Sequence, residues 1–217
     1  MVEHFDVNKN INTVIQGDCI PLLKKMKKNS INHIVTDIPY DVVNREGGIR
    51  NMDKGDADIL TFDLTKFIYL CSKIVKDNFL IFCSTEQITG ISKIMKKKGF
   101  KDVSIGIWEK TNPSPVLGQY FWLSGVECCV VGQKNPDASL SNPLWRTPIG
   151  RSKFHPTEKQ EKLMDQIIDR FTSPGDIILD PCAGSGSTLY SAKKAGRNYI
   201  GIELNQGFYE HIKSKDL

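Results

Sequence analysis

The stretch "LDPCAGSGST" sets an acid, Asp180, ahead of two glycines, Gly184 and Gly186, where an apolar run meets a helical one. Glycines at such a junction let the backbone approach a ligand closely, and the helix start beyond them offers unbonded N–H groups. A later apolar run, "NYIGIEL", carries Glu203, an acid placed to accept hydrogen bonds from both hydroxyls of a ribose. Three readings compete. A phosphate-cradling loop needs a lysine after its last glycine, and Ser187 stands there. A dinucleotide fingerprint needs a third glycine where Leu189 stands, and gains nothing from a carboxylate at Asp180 facing a pyrophosphate. S-adenosylmethionine (SAM) has no phosphate and carries an ammonium on its methionine end, so it suits Asp180 and Glu203 together. The plain alternative is a tight strand-to-helix turn; the two flanking acids weigh against it.

A second stretch, "TDIPYD", ends the apolar run "INHIVTD" with Asp37, Ile38, Pro39 and Tyr40. A turn needs only the Pro and the Asp. Beside a methyl donor the four residues acquire a chemistry. The lone pair of an exocyclic amino group on a base is delocalised into the ring. An enzyme that methylates it must hold both N–H groups with acceptors, so that the nitrogen becomes tetrahedral and faces the donor. The Asp37 carboxylate and the Ile38 carbonyl are two such acceptors. Pro39 stiffens the turn that aims them, and Tyr40 offers a ring on which an extruded base stacks. Positioning and electrostatics then supply the rate, with no metal and no covalent intermediate.

These residues need a scaffold, and the rest of the chain reads as one. Its 217 residues suffice for one large domain, 1–217, with a real core. Short apolar runs ("TVIQGD", "INHIVTD", "FLIFCS", "IILD", "NYIGIEL") alternate with helix-period segments. Among the helices, "PLLKKMKK" is entered by Pro21, and "EQITGISKIMKKKG" closes at Gly99. "TEKQEKLMDQIIDRF" begins with Thr157 and Gln160 at capping-box spacing. Alternation of this kind predicts an α/β fold with a doubly wound, mostly parallel sheet. Such sheets bind ligands at the carboxyl ends of their strands. The segments 41–61 and 133–155 read as long irregular loops of functional kind.

Composition narrows the class. No apolar stretch is long enough to span a bilayer, and the N-terminus "MVEHFDVNKN" does not read as a signal or transit peptide. The six cysteines include no CxxC pair and lie largely in apolar runs, so free thiols in a reducing cytoplasm are expected, with no zinc site. The net charge of +4 permits a polyanionic partner without demanding one.

With these motifs in place, the chain resembles the DNA amino-methyltransferases, which methylate adenine N6 or cytosine N4. "DIPY" matches their Asp/Asn/Ser, Pro/Ile, Pro, aromatic motif. "DPCAGSGST" matches their SAM loop, with Cys182 where Phe is usual. "HPTEKQ" resembles their "HPTxKP", with Gln160 in place of the proline. The order, catalytic motif before SAM loop, is that of the β group, and the likeness covers nearly the whole chain. It implies a Rossmann-like SAM-methyltransferase fold with a seven-stranded, mostly parallel sheet. The strands ending at Asp180 and Glu203 would pair with "TVIQGD" on one side and with "INHIVTD" and "FLIFCS" on the other. "VSIGIWEK" and "VECCVVGQK" would form an antiparallel edge hairpin. With all seven strands found, a complete domain is expected.

The resemblance also assigns residues. SAM would contact Asp18 and Cys19 at its adenine, and His155 and Thr157 at its methionine part. The loop Asp180, Ala183, Gly184, Ser185, Gly186 and Ser187, together with Glu203 and Asp37, would complete the site. Asp18 as a turn former and Thr157 as a helix N-cap are the competing roles. Trp108, Asn112 and Pro113 would shape the target-base pocket, or Trp108 would simply be core. Arg146, Arg151 and Lys153, beside Trp145 and Phe154, suit DNA phosphate contact, or else form a solvated loop. An Asp heading the catalytic motif favours adenine N6. The alternatives are a cytosine-N4 enzyme, an RNA methyltransferase, or a non-catalytic nucleic-acid-binding subunit. The partners implied are DNA and, the chain being short for a large recognition domain, a second copy or a partner subunit.

Overall fold

A computed structural model describes residues 5–39, 61–113, 125–136, 143–150, 159–215 and 217. Parallel strands come first: β1 (Thr13–Gln16), β2 (Ile31–Asp37) and β3 (Val75–Cys83) in the first half, β7 (Ile177–Asp180) and β8 (Asn198–Glu203) in the second. Two antiparallel additions, β4 (Asp102–Lys110) and β5 (Val126–Gln133), and the short β6 (Leu144–Thr147) complete an eight-stranded sheet of order β1-β8-β7-β2-β3-β5-β4-β6.

The apolar runs form central strands because both of their faces are covered. On β3, Phe79 and Ile81 face one layer of helices while Leu80 and Phe82 face the other, and all four are buried. The first layer holds α1 (Cys19–Lys25), α2 (Leu64–Ile74) and α3 (Ile88–Lys97). Their stripes of Leu23, Phe67, Ile68 and Met95 enter one core. The second holds α4 (Glu161–Phe171), α5 (Ser187–Lys194) and α6 (Gln206–Ser214), packed through Leu163, Ile167, Leu189 and Ile212. The chain leaves β2 toward β3 and leaves β7 toward β8, in opposite directions across the sheet. The β7–β2 boundary is therefore the switch point at which such folds open a crevice.

The expected strand pairings hold, with three corrections. The sheet has eight strands, not seven, because β6 lies within the segment read as the loop 133–155. It pairs parallel to β4, so the β4–β5 hairpin is one strand in from the edge. Second, α4 starts at Glu161 with Gln160 as its N-cap, and no side chain caps it; the expected capping box does not form the helix start. Third, α1 begins at Cys19, ahead of Pro21, and Asp18 caps it by accepting from the Ile20 N–H at 2.8 Å. Pro21 still falls in the first turn, where a missing N–H costs nothing.

Candidate active site

Four strand ends converge at one edge of the sheet. β1 leads to Asp18, and β2, β7 and β8 end in Asp37, Asp180 and Glu203. Thr36 Oγ1 donates to Asp180 Oδ1 at 2.8 Å, tying β2 to β7 across the switch point. The backbone N–H of Cys182 reaches the same oxygen at 3.1 Å. Asp180 is only 3 % exposed, and burial drives its pKa up to about 7, against the pull of hydrogen bonds from Thr36, Thr188 and Cys182. Asp37 adds to the rise by like-charge repulsion. A buried acid poised in this way favours a nearby cation, because ionising it alone is costly.

The glycine loop is built around Glu203. Its Oε2 accepts the Gly184 N–H and its Oε1 the Asn205 N–H, both at 2.7 Å. Burial raises its pKa and the backbone hydrogen bonds oppose that rise. Each carboxylate oxygen has a second lone pair, so a diol can still be accepted. Gly184 and Gly186 sit at φ +52° and +85°, in the left-handed region that glycine enters without cost. A Cβ on Gly186 would lie 3.1 Å from Ile212 and 3.2 Å from Tyr190, so α6 also requires the glycine. Ala183, Ser185 and Ser187 are buried around the turn. No residue from Asp180 to Ser187 is basic. Carboxylates on adjacent strands, with no basic residue in the glycine loop between them, fit a cofactor bearing an ammonium and vicinal hydroxyls, and the residues present therefore suit SAM.

The stretch "DIPY" is described as far as Pro39. Asp37 and Ile38 stand at the end of β2 with Pro39 after them; Ile38 is buried, and its N–H lies 3.5 Å from the Phe82 carbonyl. Tyr40, Arg151, Lys153, His155 and Thr157 lie outside the described residues. Three other expected residues have structural partners. Trp108 is core: its Nε1 donates to Thr147 Oγ1 at 2.8 Å, so it does not line a base pocket. Asn112 binds the backbone of Ile149 at both ends of its amide, donating to the carbonyl at 3.1 Å and accepting from the N–H at 2.5 Å. That clasp ties Asn112 to the segment after β6. Arg146 on β6 is exposed and pairs with Glu109 at 2.7 Å. Cys19 is buried in the core beneath Asp18.

Sequence reasoning passed over Lys159. Its side chain is 4 % exposed, and its Nζ lies 2.5 Å from Asp37 Oδ2 and 3.0 Å from Glu127 Oε2. Glu127 Oε1 in turn holds Lys110 at 2.7 Å. The available signal was its place inside "HPTEKQ".

Comparisons with known proteins agree with this geometry. A family described as DNA methylase (N6/N4) matches residues 132–214. The type II methyltransferase M2.DpnII of Streptococcus pneumoniae is 31 % identical over 96 % of this chain and 90 % of its own length. M2.MboI of Moraxella bovis, also a type II methyltransferase, is 30 % identical over 96 % of this chain and 88 % of its own. Among solved structures, the M1.HpyAVI–SAM complex superposes with a TM-score of 0.73 at 28 % identity, covering 94 % of this chain and 99 % of that one.

Proposed function

The chain belongs to the N6/N4 DNA methylase family of SAM-dependent methyltransferases, and on that premise we propose that it methylates the N6 amino group of adenine in DNA. The observation that carries this reading is the meeting of Asp37, Asp180 and Glu203 at neighbouring strand ends about the switch point. Glu203 and the turn Ala183–Ser187 hold the nucleoside end of SAM, with Asp18 and Cys19 beside its adenine. Asp180, with His155 and Thr157, serves the methionine end. SAM supplies an electrophilic methyl group on a sulfonium. The protein's part is to present the nucleophile. The Asp37 carboxylate and the Ile38 carbonyl each accept one N–H of the target amine, which frees its lone pair, and Tyr40 stacks on the flipped base. Formation of the N–C bond would be matched by cleavage of the methyl–sulfur bond, leaving a neutral thioether; positive charge grows on nitrogen, the Asp37 carboxylate stabilises it, and the N–H proton passes along that hydrogen bond to the carboxylate and on to solvent.

An Asp at the head of the motif supports adenine over cytosine N4, by resemblance to the family. The whole chain, 1–217, acts as a single methyltransferase domain in the reducing cytoplasm, a reading supported by its six free cysteines. Arg146, with Arg151 and Lys153, supplies phosphate contacts, and recognition rests on the segments 41–61 and 133–155, aided by a second copy or a partner subunit. Among the described residues no helix is long and apolar enough to cross a membrane.

The test is transfer of a labelled methyl group from SAM to mixed-sequence duplex DNA, followed by digestion to nucleosides and separation of N6-methyladenine from N4-methylcytosine. Asp37→Ala should lower transfer by a factor on the order of 10²–10⁴ while DNA affinity, dominated by phosphates, changes little. Equal transfer in wild type and variant would reduce "DIPY" to a turn. Label confined to cytosine would favour the N4 reaction.

A further inference from the structure

We infer that Lys159 is a positioning residue, which keeps Asp37 anionic and aimed through a charge network spanning three strands. The inference rests on the proposed amino-methylation. Four charged side chains form the network: Asp37 at the end of β2, Lys159 just ahead of α4, Glu127 near the start of β5 and Lys110 at the end of β4. The links are 2.5 Å from Lys159 to Asp37, 3.0 Å from Lys159 to Glu127, and 2.7 Å from Lys110 to Glu127. The formal charges sum to zero. In register, Asp37 lies beside Phe82 and Cys83 lies beside Cys128. Lys159 therefore crosses the ends of β2, β3 and β5, with its Nζ 5.1 Å from the Phe82 ring centroid.

Lysine is almost never this buried unless paired. Pairing alone does not explain the arrangement. Glu127 already has Lys110, and the two cations together hold its carboxyl below its usual range in spite of burial. Lys159 is the member that links the network to Asp37, whose side chain is 27 % exposed. The Lys159 ammonium against the Asp37 carboxylate favours its ionised form and offsets the like charge of Asp180 on β7, so removing it shifts Asp37 toward the protonated acid. A protonated Asp37 donates a hydrogen bond where the target amine needs an acceptor. With one carboxylate oxygen committed to Lys159, rotation of the group is also restrained. The result is an oriented acceptor of tempered basicity.

Three variants separate this role from simple packing: Lys159→Met, of similar length without charge; Lys159→Arg, which keeps the charge; and Glu127→Gln. The first readout is the carboxyl titration of Asp37 by ¹³C NMR without DNA, assigned by difference with Asp37→Asn. Lys159→Met should raise the Asp37 titration midpoint by about one pH unit or more, Lys159→Arg should restore most of it, and Glu127→Gln should move it the opposite way, since it leaves the site net positive. The second is single-turnover methyl transfer against pH. The acidic limb should shift in the same directions, with the Met variant at least about tenfold slower at neutral pH and SAM affinity within about threefold of wild type. An unmoved Asp37 midpoint in Lys159→Met, or in Glu127→Gln should the Met variant fail to fold, overturns the inference. A rate lowered equally at every pH does the same. If the midpoints move as stated but the wild type labels no DNA, the methylation reading fails and the network stands.

Discussion

Asp180 permits a direct measurement of what burying the site's acid costs. In the unfolded chain its carboxyl ionises at the ordinary value of 3.8; in the folded chain, at 3 % exposure, it ionises only near 7. Between those values the folded chain binds more protons than the unfolded one. Stability must therefore fall as pH rises through this window, and the loss is complete above about 7. At 1.36 kcal/mol per pH unit, the interval is worth on the order of 4 kcal/mol, as an upper bound. Asp180→Asn keeps the shape and the acceptor used by the Thr36 hydroxyl and the Cys182 N–H, but it does not titrate. Urea unfolding without cofactor should find the variant level with wild type or below it at pH 5. It should gain steadily on the wild type toward pH 8, by a total of about 3 kcal/mol at most, because only the two pH units from 5 to about 7 fall inside the window. Stability differences that stay constant from pH 5 to pH 8 would refute the argument from burial.

The same acid should report on the cofactor. An ammonium beside Asp180 favours its ionised form, so binding SAM near pH 6 should expel most of one proton. Calorimetry in buffers of different ionisation heat reads that release, and Asp180→Asn should lose both the release and part of the affinity. Binding without proton release would refute the ammonium contact while leaving the pH dependence of folding intact.

Glu203→Gln should weaken SAM binding by roughly ten- to a hundredfold, the loss of one or two hydrogen bonds to a charged acceptor, while keeping an acceptor for the Gly184 N–H; unchanged calorimetric affinity would remove the ribose from Glu203. Gly186→Ala should cost about 1–3 kcal/mol in thermal or urea unfolding, since a Cβ at φ +85° is strained and also meets Ile212 at 3.1 Å; an unaltered melting temperature would show that the turn relaxes freely.

The parts of the fold that were legible are those whose signal is local. A run such as "FLIFC" buried on both faces can only be a central strand, and an acid followed by two glycines and a helical pattern marks its own turn. The strand order followed from the family resemblance. What stayed hidden depends on contacts between distant segments. β6 has four residues and alternates only Trp145 and Thr147 inward; its partner, β4, lies more than thirty residues earlier, so "LWRT" alone looks like loop. Trp108 is pinned by Thr147 of that same hidden strand, which is why its core role could not be told from a pocket role.

Lys159 shows the same limit at the site itself. Read along the chain, "TEKQEKL" is a polar helix start, and a lysine there belongs on a solvated face. The helix in fact begins two residues later, at Glu161, and Lys159 falls in the extended approach to it. From that position its stem lies over Phe82, and its ammonium reaches the carboxylates of Asp37 and Glu127, which enter from two different strands. An ion pair of this kind leaves no periodicity and no local spacing, because its members are 122 residues apart for the Lys159–Asp37 bond. Asp37, by contrast, announces itself through its neighbours Pro39 and Tyr40. A motif of adjacent residues can name the group that touches the substrate, but the residue that sets the charge of that group is chosen by the fold.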